Sequence, residues 1–192
     1  MALNTYDLSA GLFIRGLDNL KMQLTKAEAH AVASGSSEAA LLGARLAADE
    51  GGAAHASPMD LHMYTLAAQV HWAAEGARMA IALLLGEPAV PNTSDATSFA
   101  ELHQRLDATI AYLRAAAPDD LEGSLDRTVV VERPRGSMRA SGSQFLVALA
   151  IPHFFYHMAS AYGILRNQGV PLTMGDFLGN WVQAELSGDA PK

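Results

Sequence analysis

Apolar residues recur every three or four positions over most of the chain, the spacing of one helical face. Leu8, Leu12, Leu17, Leu20, Leu24 and Ala27 predict a first helix over about residues 8–34, stopped at Ser34-Gly35. A shorter helical piece covers about residues 38–46. A second long helix is expected to start at Ser57-Pro58, where Ser57 caps and Pro58 fits the first turn. Its stripe is Met63, Leu66, Ala67, Val70, Ala74, Ala77, Ile81 and Leu84, and Gly86 with Pro88 ends it. Phe99, Leu102, Leu106, Ile110 and Leu113 mark a third helix over about 98–116, opened by a Ser98–Glu101 capping box. The period then changes. Thr128-Val129-Val130-Val131-Glu132, a turn at Arg133–Gly136 and Ser137-Met138-Arg139-Ala140 predict a small β-hairpin. A fourth helix over about 143–167 follows, with a kink expected at Pro152. The residues after Pro171, including Asp176-Phe177-Leu178-Gly179 and Trp181, are expected to fold back on the helices. Four long amphipathic helices and one late hairpin predict an all-α four-helix bundle.

Composition narrows the picture. A chain of 192 residues, half of them hydrophobic, suits a single domain with a sizeable core, here about residues 6–179 with a tail over 180–192. The net charge of -7 argues against nucleic acid as a partner. With no cysteine there is no disulfide, thiolate site or cysteine nucleophile, which suits a reducing cytoplasm. The start, Met1-Ala2-Leu3-Asn4-Thr5-Tyr6-Asp7, lacks the features of a signal peptide. The longest apolar run, Met79–Leu85, falls short of the roughly 18 residues of a membrane span. The expectation is a cytoplasmic protein with no membrane partner. Asp49–Ser57 is a glycine- and alanine-rich loop with few anchors.

Candidate chemistry lies in the fourth helix. His153 and His157 are four residues apart in Ile151–Tyr162, a stretch that is apolar nearly all round. Positions i and i+4 share a helical face, and here that face also carries Leu146, Ala150, Ala161 and Ile164. Two stacked imidazoles are a ready pair of metal ligands and are costly to bury without partners. The alternative is a pair of hydrogen-bonded core histidines with no metal.

Several segments resemble a known family: Lys26–Ala31, Ala44–Ala47, Gln69-Val70, Phe99–Leu102, Pro152–His157, Ala161–Val170 and Asp176–Gly179. Together they are similar to the uncharacterised branch of the DinB/YfiT-like metal-binding four-helix bundles, over roughly residues 6–179. The resemblance implies an up-down-down-up four-helix bundle and a homodimer. It also implies a metal-ligating histidine on the second helix and an H-x3-H pair on the fourth, which carry over to His71, His153 and His157. On a helical wheel His71 lies about 80° from the centre of its apolar stripe, and Glu75 about 120° away. Glu75 is thus the weaker candidate, for a fourth or supporting role. Tyr64, Tyr156 and Tyr162 are candidates to line the same pocket. Arg78 suits a substrate carboxylate or an exposed salt bridge. Trp72, opposite the core stripe, calls for cover by the tail or a second subunit. His30, His55, His62 and His103 read as solvated, and Asp18 and Glu28 have no partner that spacing identifies.

Two functions follow. One is a metal-dependent enzyme acting on a small molecule, of the thiol-cofactor transferase or hydrolase type the superfamily implies, with zinc or nickel on the three histidines. The other is a non-enzymatic dimeric bundle that binds a small ligand and no metal.

Overall fold

A computed structural model describes residues 4–47, 64–92, 96–133 and 136–179. The expectations placed on Asp49–Ser57, Pro58, His55, His62, Met63 and Trp181 lie outside the described residues.

The chain opens with a short helix α1 (Thr5–Leu8), capped by Asn4, whose Oδ1 accepts from the Asp7 N–H at 2.8 Å. The long helix α2 (Ala10–Ser34) follows and ends at Gly35, whose φ of 70° is the left-handed conformation glycine adopts freely. Its buried face includes Phe13, Leu17, Leu20, Leu24 and Ala27, with Leu12 packed partly buried against the core, so the expected stripe faces inward except for Leu8, which ends α1 and is exposed. A short α3 (Glu38–Gly43) precedes α4 (Leu66–Leu85). The predicted start of the second long helix is corrected. It opens at Leu66 behind an extended Thr65, whose hydroxyl accepts from the Ala68 N–H at 3.2 Å. Thr65 therefore caps this helix, and Ser57 lies outside the described residues.

Helix α5 (Phe99–Ala115) starts behind Ser98, whose Oγ accepts from the Glu101 N–H at 3.2 Å. The reciprocal half of the capping box is shifted by one residue, because the Glu101 carboxylate accepts from the Thr97 N–H at 2.6 Å. The hairpin forms as expected: β1 (Thr128–Arg133) pairs antiparallel with β2 (Gly136–Ser141), with Thr128 opposite Ser141 and Val130 opposite Arg139.

The last long helical run begins with α6 (Gly142–Phe145), continues through one wide π turn (Leu146–Ala150) and becomes α7 (Ile151–Asn167). The π turn stands where the proline kink was expected. In it the Ile151 N–H reaches the Leu146 carbonyl, a five-residue step, just before Pro152 removes a donor from the ladder. A short α8 (Met174–Leu178) closes the described chain and does fold back: the Asn19 Nδ2 donates to the Phe177 carbonyl at 3.2 Å, and Lys26 pairs with Asp176 at 2.5 Å.

Among the four long elements α2 packs on α5, α5 on α4 and α4 on α7, and α2 also touches both α4 and α7 more lightly. Phe13, Leu66, Ile81, Leu102, Phe154 and Ile164 fill the space between them. The run Gly142–Asn167 has an 18-residue window of mean hydropathy 1.2, enough by length and composition to cross a membrane, although no unbroken apolar run reaches that length. Of that stretch 44% is buried inside the protein, where it packs on α4 and α2, while Val147, Phe155 and Tyr156 remain exposed.

Candidate functional site

The α4–α7 interface positions the site. One face of α7 presents Phe154, His157, Met158, Ala161 and Ile164 to the core, so the stripe read from spacing turns His157 inward, where it is 4% exposed. His153 is half-buried one turn earlier. Its ring lies against the α4 backbone at Gly76, where a Cβ would come within 2.8 Å of Nδ1 and 2.9 Å of Cε1. Only a glycine leaves room for that ring. The two Nε2 atoms stand 3.2 Å apart and the ring centroids 4.5 Å, at 69°. Tetrahedral bonds of 2.0–2.1 Å to one zinc ion would separate two ligand nitrogens by about 3.3 Å. The same distance suits a nitrogen–nitrogen hydrogen bond.

Burial, together with the charges that His153 and His71 would carry, pushes the His157 pKa down to about 3; burial lowers that of His153 as well. Both rings are therefore neutral at pH 7, the form that binds metal. On its other side His157 meets Gln69, with Nδ1 2.6 Å from Oε1. Gln69 is fully buried on α4, and its own N–H2 finds no acceptor among the described residues. Such an unmet donor costs about 1–3 kcal/mol.

His71 is held differently. It is 7% exposed, and its Nδ1 lies against the Arg105 guanidinium of α5. A guanidinium only donates, so Nδ1 accepts and the ring proton sits on Nε2. A ring in that tautomer offers no lone pair at Nε2, and its Nδ1 lone pair is taken by arginine. The structure thus brings His153 and His157 together and places His71 across from them, turned to Arg105. Among the described residues no group of three or more His, Asp or Glu side chains is arranged to hold a metal. Two imidazoles fit a metal ion; the third, as oriented, does not.

A model for the domain of unknown function DUF1993 matches residues 5–178. The chain belongs to this family. A crystal structure of a DinB family member protein from Shewanella denitrificans is similar to this DUF1993 chain, with 32% identity over 91% of each chain and a TM-score of 0.77. The chain is thus a member of an uncharacterised DinB-like branch, as its motifs suggested. No curated protein matches it.

Other candidates in this DUF1993 domain divide between the site and its surroundings. Tyr64 and Tyr156 flank His157, with ring centroids at 6.1 and 5.1 Å. Tyr64 is half-buried, and burial with the neighbouring Tyr156 raises its pKa; Tyr156 is 51% exposed. Tyr162 faces away: it stacks on Phe177 of α8 at 5.5 Å and accepts from Arg166 at 2.8 Å. Glu75 and Arg78 are engaged with each other. Arg78 Nη2 donates to Oε1 at 2.7 Å and Nε to Oε2 at 3.1 Å, while the Asn92 N–H adds a third bond at 2.8 Å. Burial works against the Glu75 carboxylate, but the bonds from Arg78 and Asn92 outweigh it and hold the pKa below the ordinary value. Trp72 is half-buried between the rings of Tyr64 and His71. Asp18 and Glu28 have partners across the helices, Arg114 and His103, each at 3.4 Å.

Sequence reasoning missed Gln69, Arg105 and Gly76. Gln69 carried a readable signal, a long polar side chain on the face shared by Leu66 and Ala73. Arg105 and Gly76 carried none.

Proposed function

We propose that this domain binds a divalent metal ion, zinc or nickel, at His153 and His157, and that the metal serves transferase or hydrolase chemistry on a small molecule. The observation that carries this reading is the pair of neutral imidazoles with Nε2 atoms 3.2 Å apart, one of them braced from behind by a carboxamide. His71 would complete the set in this reading only if it gave up its contact with Arg105. A metal on imidazoles with an open position supplies Lewis acidity to a bound water or thiolate. The chain's own residues do the rest: Gln69 orients His157, Gly76 admits the His153 ring, and Tyr64 and Tyr156 border the space where a substrate would lie.

The mutual packing of α2, α4, α5 and α7 and the likeness to the DinB family structure support an up-down-down-up four-helix bundle. The homodimer, the cytoplasmic setting and the absence of nucleic-acid or membrane partners belong to the same reading. Exposed Val147, Phe155 and Tyr156 on the last helical run favour a covered face.

The test is metal content of untagged protein, with zinc and nickel titrations of wild type, His153→Ala, His157→Ala and His71→Ala. Micromolar or tighter binding lost in His153→Ala and His157→Ala supports the site. A wild type that takes up neither metal removes it. One observation favours the alternative, a non-enzymatic bundle with a metal-free ligand pocket: Arg105 engages His71 Nδ1, a contact the ring would have to give up to join a metal. A co-purified organic ligand without metal, seen by native mass spectrometry, would decide for it.

A further inference from the structure

Gln69 stands in the second turn of α4, where its backbone N–H bonds the carbonyl of the cap residue Thr65 at 2.8 Å. Its side chain is wholly buried. A methionine would fill the same volume with no polar atom to satisfy. The carboxamide instead leaves its N–H2 without an acceptor among the described residues and commits only its oxygen, to His157 Nδ1 at 2.6 Å. What glutamine adds at this position is that one acceptor. An acceptor at Nδ1 demands a proton there, and a neutral imidazole carrying it at Nδ1 has its lone pair at Nε2. Nε2 is the atom that faces His153.

We infer that Gln69 is the positioning residue that fixes His157 as the Nδ1–H tautomer and so aims its Nε2 lone pair at the His153 ring. The contrast with His71 gives the assignment its content. There a donor, Arg105, meets Nδ1 and forces the opposite tautomer. Two buried histidines, one on α4 and one packed against it, are thus set in opposite senses by what touches Nδ1, an amide oxygen in one case and a guanidinium in the other. A metal ligand held through Nε2 needs the first setting. Gln69 depends on the proposed metal reading only for its effect on affinity; its effect on the ring does not.

The experiment uses the full chain labelled with 15N at histidine, treated with chelator and read by long-range 1H–15N correlations, which distinguish a protonated ring nitrogen from a bare one. Wild type and Gln69→Glu, which keeps an acceptor, are expected to show His157 protonated at Nδ1. Gln69→Met is expected to lose that signature, with the His157 ring shifting to the Nε2–H form or a mixture while the circular dichroism stays unchanged. Zinc affinity is expected to fall about 10- to 100-fold in Gln69→Met and to be largely restored in Gln69→Glu. A wild-type His157 protonated at Nε2 overturns the assignment even where Gln69→Met does not fold, and so does a Gln69→Met protein that keeps the Nδ1–H signature. A wild type with the expected tautomer but no zinc binding supports Gln69 as the ring's positioner and removes the metal reading alone.

Discussion

Helix α4 carries two buried polar clusters, and they are built on opposite terms. Near its start, Gln69 reaches across to His157, and through it His153, with no formal charge anywhere in the set. Two turns on, Glu75 and Arg78 form a two-bond ion pair, locked further by the Asn92 N–H and by an Arg78 bond to the Val90 carbonyl at 2.6 Å. In the second cluster both carboxylate oxygens are taken. In the first, an amide N–H2 finds no acceptor among the described residues and the meeting of two imidazole nitrogens needs only one proton. The difference separates a closed cluster, which ties the end of α4 to the following loop, from an open one with coordination capacity to spare. Only the open one suits a ligand.

The largest expected effect tests whether the second cluster is structural. Arg78→Met strands a carboxylate that is 5% exposed, and breaking such a pair from one side costs about 3 kcal/mol. The double variant Glu75→Leu/Arg78→Met is expected to cost clearly less, because no charge is left behind. Urea unfolding of the three proteins makes the comparison. A single-variant cost below about 0.5 kcal/mol, the range of an exposed pair, would erase the distinction drawn above.

Acid should separate the clusters by pH window. The Glu75 pKa is depressed in the folded protein, so its contribution is present above the ordinary value of 4.5 and lost as pH falls below it. The His157 pKa is depressed from 6.5 to about 3. As pH falls through that interval the unfolded chain takes up the proton first. The contribution is therefore complete above pH 6.5 and declines by roughly 1 kcal/mol per pH unit toward pH 3. In chelator-treated protein, His157→Asn is expected to flatten the urea midpoint between pH 6.5 and 4.5, and Glu75→Gln only below 4.5. Equal slopes in wild type and His157→Asn over the upper window would contradict a neutral, buried His157.

Gly76 lies between the two clusters and sharpens the contrast most finely. Gly76→Ala gains up to about 1 kcal/mol of helix propensity, but the new methyl meets the His153 ring at 2.8 Å. Stability is expected to change by less than about 1 kcal/mol while zinc affinity falls about tenfold, since only the open cluster depends on that ring. Unfolding curves and a zinc titration on the same preparation test both halves. Unchanged affinity would mean that His153 is a bystander.

Much of the fold could be read directly. The stripes on α2, α4 and α5, the change of period into the hairpin and the i, i+4 histidines all depend on local spacing, and the core uses them as expected. The start of α4 was misplaced because Ser57-Pro58 is a good cap in isolation, whereas Thr65, with Leu66 behind it, is where the described helix begins. A disturbance at Pro152 was anticipated from the missing donor, but not the π turn that stands before it, since such a turn depends on how the neighbouring turns settle. Within the site, the inward face of His157 was evident and its partner was not. Gln69 lies 88 residues away, and Arg105 lies 34 residues from His71.

The order of apolar and polar residues by itself determined which segments are helical, which faces are buried and that two histidines share one of those faces. Those properties rest on backbone geometry and desolvation, which act over a few residues. The tautomer of each ring, the room made for His153 by a glycine on another helix and the closing of Glu75 by Arg78 and the Asn92 amide were decided only by the tertiary structure. Each depends on which donor, acceptor or gap arrives from a distant part of the chain, and a hydrogen bond is made or lost within a few tenths of an ångström.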